Sequence, residues 1–364
     1  MKIVAEIGTS HQGSMDKAKA LVECAKKCGA DIVKFQWVYA DEILHPKTGF
    51  VQLPTGRIPL YERFKQLEVA PDFFFEIKNF CHEIGIEFMC TPFGPKSLSE
   101  LYKIDPDYIK IASPELNYVQ LLSQLNDLVK FDNKPVVLST GVSKLSDIET
   151  ALECFEHSKI KNDGKLTLLH CITQYPAPEE EYNLCVIQNL RNIFGLPTGV
   201  SDHSLSPLYV PLLSQALGAT MLEKHITLSN ETDGLDDPVA LNPKNFELMC
   251  KVVSDFSAAD NILDYTINFL QNKIGDKVGK IIGSGIKELA PSEKANYGRT
   301  NRSLRFIVDK KAGDFINEGD IGVLRTEKVL DIGLEPKFLN EFVGKKLQKD
   351  VKSSDPVLWN CITE

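Results

Sequence analysis

The sequence predicts an α/β chain: a (β/α)8 TIM barrel over residues 1–275, a linker at 276–300 and a small β-rich domain at 301–364. Three observations carry this. Eight short β-branched runs lie between residue 3 and about residue 263, each separated from the next by a stretch of helical period. That span is close to the ~250 residues such a barrel usually takes. Beyond residue 300 the helical stripe gives way to short strand-like runs punctuated by glycine.

In chain order the runs are "IVAEIG" from Ile3, "DIVKFQ" from Asp31, "EFMCTPF" from Glu87, "DYIKIAS" from Asp107, "PVVLSTG" from Pro135, "LTLLHCI" from Leu166, "TGVSDHS" from Thr198 and "MLEKHIT" from Met221. The first connection, "MDKAKALVECAKKCG", puts Ala18, Leu21, Val22 and Ala25 on one helical face and Gly29 at its end. Residues 37–70 form an unusually long connection rich in Pro and Gly turns, which reads as a lid or substrate loop at the barrel mouth. "NPKNFELMCKVVSDFSAADNIL" reads as the last barrel helix, and "DKVGKIIGSGIKELAPSEKANYGRT" as the linker. An open doubly wound sheet is the structural rival, but "GTSHQGS" after the first run lacks the G-x-G-x-x-G spacing of its phosphate turn.

The chain has 364 residues and a net charge of −9, with no basic stripe, which argues against nucleic acid or an anionic membrane as partner. No apolar run approaches the ~18 residues of a membrane helix. "MKIVAEIGTS" enters a strand directly, without a signal core, so a cytoplasmic chain is expected. Nine cysteines without C-x-x-C or zinc-ligand spacing read as free thiols in a reducing compartment.

Catalytic groups of such barrels sit at the C-terminal ends of the strands. Those ends carry Glu6; Lys34 and Gln36; Lys110 and Ser113; Ser139 and Thr140; Thr173 and Tyr175; Ser201 and His203; Glu223 and His225. Residues two apart share a strand face, so Lys34 with Gln36, Ser201 with His203, and Glu223 with His225 point the same way. Asp202 and Lys224 break the apolar pattern of the opposite face. Singly, a strand-end His or Lys is more often a hydrogen-bonded rim residue or a solvated one. Together, two cations, two imidazoles and a carboxylate around one cavity are costly to bury without a ligand.

Two lysines with nearby hydroxyls suit a phosphate or carboxylate. Two imidazoles on neighbouring strands suit one divalent metal with positions left open for water and substrate. Glu6 is placed to orient or deprotonate water. The residues thus point to metal-assisted chemistry on a phosphorylated small molecule. A Schiff-base lyase or aldolase using Lys34, Lys110 or Lys224, and a carbohydrate-binding protein without catalysis, are the alternatives.

The ordered blocks "IVAEIGTSHQGS", "GADIVKFQ", "CTPF", "YIKIASPE", "VVLSTG", "LLHCITQYP", "GVSDHS", "ALGATMLEKHITL" and "GLDDPVALNPKNF" resemble the sialic acid synthase (N-acetylneuraminate synthase) family over essentially the whole chain. "NRSLRFIVDKKAGDFINEGD" is similar to that family's C-terminal antifreeze-like (SAF, β-clip) domain. The resemblance implies condensation of phosphoenolpyruvate with the open-chain aldehyde of an N-acylated amino sugar, with release of phosphate. It implies that His203 and His225 bind Mn2+ or Mg2+ and that Glu6 handles the water attacking C2 of phosphoenolpyruvate. Lys34, Lys110, Ser113, Ser139, Thr173 and Ser201 would hold phosphoenolpyruvate. Gln36, Glu115, Tyr175 and Asp236 would face the sugar, and Arg302 would reach the active site of a partner in a domain-swapped homodimer.

This chain has "SHQG" where the family commonly has "NHNG", Thr173 where Asn or Ser is frequent, and Pro114 where Gly is frequent. Ser10, Gln12 and Pro114 leave the sugar open among N-acetylmannosamine, its 6-phosphate and 2,4-diacetamido trideoxy sugars.

Overall fold

The computed structural model describes residues 1–53, 56–232, 234–327 and 329–362. Twelve strands occur among them. They are β1 (Lys2–Gly8), β2 (Ile32–Trp37), β3 (Phe50–Leu53), β4 (Gly56–Pro59), β5 (Glu87–Pro92), β6 (Tyr108–Ile111), β7 (Val136–Ser139), β8 (Leu166–Cys171), β9 (Thr198–Asp202), β10 (Met221–His225), β11 (Arg302–Phe306) and β12 (Ile321–Arg325). β1, β2 and β5 to β10 form a closed parallel barrel in which β1 pairs with both β2 and β10. The eight predicted runs are the eight barrel strands.

Strand period sets what the barrel encloses. Val4, Ile32, Met89, Val137, Leu169 and Met221 form their own buried cluster. Glu6, Lys34, Ser139 and Glu223 each lie two residues further along their strands and so stack one layer above this apolar plug. The register then places Glu6 opposite His225 on one side and opposite Lys34 on the other.

Outside the barrel, the helix Met15–Cys28 is capped by Ser14, whose side chain accepts from Lys17 N, and ends at Gly29 in the left-handed region, φ 99°. The expected last helix is interrupted: Pro243–Phe256 stops, and Asn261 caps a further helix, Ile262–Ile274, by accepting from Asp264 N. Regular structure also continues into the expected linker as the helix Lys277–Ile282. The rest of that segment grips the barrel. Glu293 Oε2 accepts from Val142 N at 3.2 Å and Thr173 N at 2.8 Å, and Lys287 donates to the Thr140 carbonyl at 2.8 Å.

The long connection after β2 folds as a short helix Ala40–Ile43, the hairpin β3–β4 and the helix Leu60–Gln66. The C-terminal unit is a small β structure around the antiparallel pair β11–β12, with Arg302 opposite Arg325. Its Leu304, Phe306, Leu347 and Val357 belong to the same buried cluster as the barrel's outer core. No helix among the described residues is long and apolar enough to cross a membrane.

Candidate active site

A cavity of about 400 Å³ opens at the C-terminal ends of the barrel strands. Glu6, Lys34, Gln36, Lys110, Ser113, Ser139, Thr173, Tyr175, Ser201, His203, His225 and Asp236 all line it. Glu223, noted at its strand end without an assigned role, joins them and organises the floor. Lys34 Nζ lies 3.0 Å from Glu223 Oε1 and 3.3 Å from Glu6 Oε2, while Lys110 Nζ lies 3.5 Å from Glu223 Oε2. Ser201 Oγ donates to Glu223 Oε1 at 2.9 Å, and Gln36 Nε2 donates to Glu6 Oε1 at 2.8 Å. These side chains are nearly inaccessible, so their charges interact with little screening by water.

The consequences differ from one group to the next. Burial pushes the Glu6 carboxyl up to about 7, against the pull of Lys34. Burial also opposes ionisation of Glu223, but Lys110 and Lys34 outweigh it and hold that carboxyl well below the usual range. Burial brings Lys110 down to about 8, although Glu223 pulls the other way. On Lys34 burial is outweighed by Glu223 and Glu6, and its value is raised. Glu6 is therefore poised to exchange a proton near neutrality, and Lys34 is held as a fixed cation.

One wall is built from the turns after β6, β7 and β8. Ser113 Oγ accepts from Gly141 N at 2.9 Å. A Cβ at Gly141 would lie 2.3 Å from Thr173 Oγ1 and 2.9 Å from Ser113 Oγ, so the "LSTG" glycine lets three turns converge. The hydroxyls of Ser139 and Thr173 are buried there without a hydrogen-bond partner among the described residues. Buried polar atoms in that state suit an oxygen-rich ligand.

On the other side, His203 and His225 have ring centroids 5.6 Å apart. His203 Nδ1 lies 2.7 Å from the Ile172 carbonyl, which fixes Nδ1–H as the donor and leaves the lone pair on Nε2. Burial lowers both imidazoles, so both are neutral and able to bind a cation. His225 Nδ1 is 3.9 Å from Asp236 Oδ2. Among the described residues, no group of three or more His, Cys, Asp or Glu side chains could hold a metal ion. The pair fits a divalent ion that takes its remaining ligands from water and substrate.

The pattern of the NeuB family matches residues 21–262. The chain belongs to the NeuB family. Among its relatives, an uncharacterised protein of Methanocaldococcus jannaschii is 34% identical over 98% of this chain and 93% of its own length. The N,N'-diacetyllegionaminic acid synthase of Campylobacter jejuni is 31% identical over 97% of both chains. The crystal structure of the spore coat polysaccharide biosynthesis protein SpsE of Bacillus subtilis covers all of this chain and 95% of its own, with a TM-score of 0.78 and 29% identity.

Against this NeuB framework, of the expected sugar contacts Glu115 falls elsewhere, and Arg302, expected to reach a partner's site, meets Glu115 within this chain. Glu115 and Arg302 do not line the cavity; they meet beside it, fully buried, with Arg302 Nη2 2.9 Å and Nε 3.0 Å from Glu115 Oε1. Arg302 Nη1 donates to the carbonyls of Glu42 and Val323, and Nη2 to that of Phe93. Every guanidinium nitrogen is thus taken within this chain, and the C-terminal unit is pinned over its own barrel. The wall there comes instead from Asn296, Thr300, Arg325 and Glu327, which the sequence did not single out. Phe64, from the long connection, lines the cavity as well.

Asp202 and Lys224 explain each other. They are paired residues on β9 and β10, and Lys224 Nζ lies 2.6 Å from Asp202 Oδ2, on the strand face away from the cavity.

Proposed function

We propose that the chain is a nonulosonic acid synthase that condenses phosphoenolpyruvate with the open-chain aldehyde of an N-acylated amino sugar. Carbon 3 of phosphoenolpyruvate bonds to the aldehyde carbon, water adds at C2, and the C2–O bond breaks to release phosphate. The observation that carries this reading is the cavity floor, where two lysines and an elevated carboxylate stand beside two neutral imidazoles. Relatives named as acid synthases of this class support it.

Lys34 and Lys110 supply charge-assisted bonds to the phosphate and carboxylate of phosphoenolpyruvate, and the unpartnered hydroxyls of Ser139 and Thr173 complete its polar shell. Glu223 spaces the two lysines. Glu6, held near 7 and oriented by Gln36, takes the proton of the attacking water. His203 and His225 would hold a divalent ion, Mn2+ or Mg2+, which supplies Lewis-acid polarisation of the aldehyde. Tyr175, stacked on His203 with centroids 4.2 Å apart, and Asp236 would face the sugar.

A Schiff-base lyase is favoured by one observation, the depressed value of about 8 at Lys110. Incubation with phosphoenolpyruvate and a panel of N-acylated amino sugars, with mass-spectrometric detection of the acid, tests the synthase. Activity lost to a chelator and restored by manganese is expected. A lysine adduct trapped by borohydride with pyruvate would establish the lyase instead.

A further inference from the structure

Four side chains from residues 287–301, where the linker runs into the C-terminal unit, hold the backbone of two barrel turns. In the turn after β7, Lys287 Nζ donates to the Thr140 carbonyl at 2.8 Å and Asn301 Nδ2 to the Val142 carbonyl at 3.1 Å. Glu293 Oε2 accepts from Val142 N at 3.2 Å and, in the turn after β8, from Thr173 N at 2.8 Å. Asn296 Nδ2 donates to the Thr173 carbonyl at 3.2 Å. Between these anchors Gly141 N donates to Ser113 Oγ, and the Gly141 carbonyl accepts from Ser143 Oγ at 2.8 Å. Val142 is fully buried with φ 41°, a left-handed conformation that a β-branched residue keeps only where its surroundings impose it.

From this we infer that Glu293 is a positioning residue for phosphoenolpyruvate, setting the two turns that present the Ser139 and Thr173 hydroxyls to it. The inference rests on the synthase reading above. Glu293 is about 1% exposed and does not line the cavity, so it acts through the turns and not on the substrate. A single carboxylate oxygen ties the turn after β7 to the turn after β8. Ser139 ends β7 and Thr173 lies in the second turn, and both hydroxyls face the cavity with no hydrogen-bond partner among the described residues. Letting either turn drift moves a hydroxyl away from the oxygen it serves. Gln36 and Asp236, the expected sugar contacts, stand on β2 and beyond β10, where Glu293 makes no bond. The tie therefore bears on one co-substrate more than on the other.

The test is calorimetric titration of phosphoenolpyruvate into wild type, Glu293→Asp and Glu293→Gln, with steady-state kinetics on the amino sugar turned over best. Asp keeps the charge but withdraws the oxygen from both N–H groups, whereas Gln keeps an oxygen at the same reach. Glu293→Asp is expected to weaken phosphoenolpyruvate binding and raise its KM by about tenfold or more, with KM for the amino sugar within about twofold. Glu293→Gln is expected to stay within about threefold of wild type for both. A purely structural tie would lower stability without separating the two co-substrates. Unchanged phosphoenolpyruvate affinity in Glu293→Asp, an equal loss for both co-substrates, or a loss in Glu293→Gln as large as in Glu293→Asp would overturn the assignment. The retained amino-sugar KM reports that each variant is folded. A wild type that binds no phosphoenolpyruvate would instead remove the synthase reading itself.

Discussion

β9 and β10 bury charge on both of their faces, and the two faces are finished differently. On the outer face, Lys224 and Asp202 are each about 1% exposed, pair at 2.6 Å, and Asp202 Oδ1 accepts from Ser204 N at 2.8 Å. That arrangement is complete within the protein. On the inner face, Ser201, Glu223, His203 and His225 join Glu6, Lys34 and Lys110 around a cavity where two hydroxyls have no partner among the described residues and His203 Nε2 meets only the Tyr175 and Ser201 hydroxyls, at 3.2 and 3.4 Å. Burial of charge therefore does not by itself mark a site. What marks it is bonding capacity left over once the protein's own groups have been paired.

Substitutions on either side of these strands can break that contrast. The largest effect is expected from His203→Ala and His225→Ala, each lowering metal-dependent turnover by about a thousandfold or more with the circular dichroism spectrum retained. Near-normal activity in either variant would move the ion elsewhere. Gly141→Ala comes next: its Cβ displaces the Thr173 and Ser113 hydroxyls, and a shift of about 1 Å predicts a drop of roughly a hundredfold in kcat/KM for phosphoenolpyruvate.

A smaller effect follows from pH. Lys110 titrates near 8, and only its protonated form attracts an anion, so kcat/KM for phosphoenolpyruvate is fully developed below that value and falls about tenfold per unit above it. Lys110→Arg, whose guanidinium stays charged, should lose this alkaline limb even where its overall activity is lower. The smallest effect on turnover belongs to the outer face. Asp202→Ala strands Lys224 without its partner and should cost about 3–5 kcal/mol in denaturant unfolding, while activity per folded molecule stays within about twofold. A large kinetic defect there would erase the distinction between the faces.

Much of this site was legible because strand period and barrel geometry are local rules. Glu6, Lys34, Ser201 and His225 were found by asking what stands at each strand end. The partnership of Asp202 and Lys224 was also within reach, since opposite charges occupy matching positions on consecutive strands, but it needed the register to be seen. The pairing of Glu115 with Arg302 was out of reach for a different reason. They are 187 residues apart, and no periodicity signals that an acid on a barrel turn neutralises an arginine of the C-terminal unit. Asn296 and Arg325 were missed likewise, because they come from a segment that reads as linker and from an ordinary short strand.

The central claim is that the cavity face directs water to C2 of phosphoenolpyruvate, and the phosphate released in 18O-labelled water tests it most directly. The account predicts phosphate formed only when an N-acylated amino sugar is present, in equal amount to the acid product and free of solvent oxygen, because the C2–O bond breaks. Phosphate carrying solvent 18O, or none released with any such sugar, would contradict it.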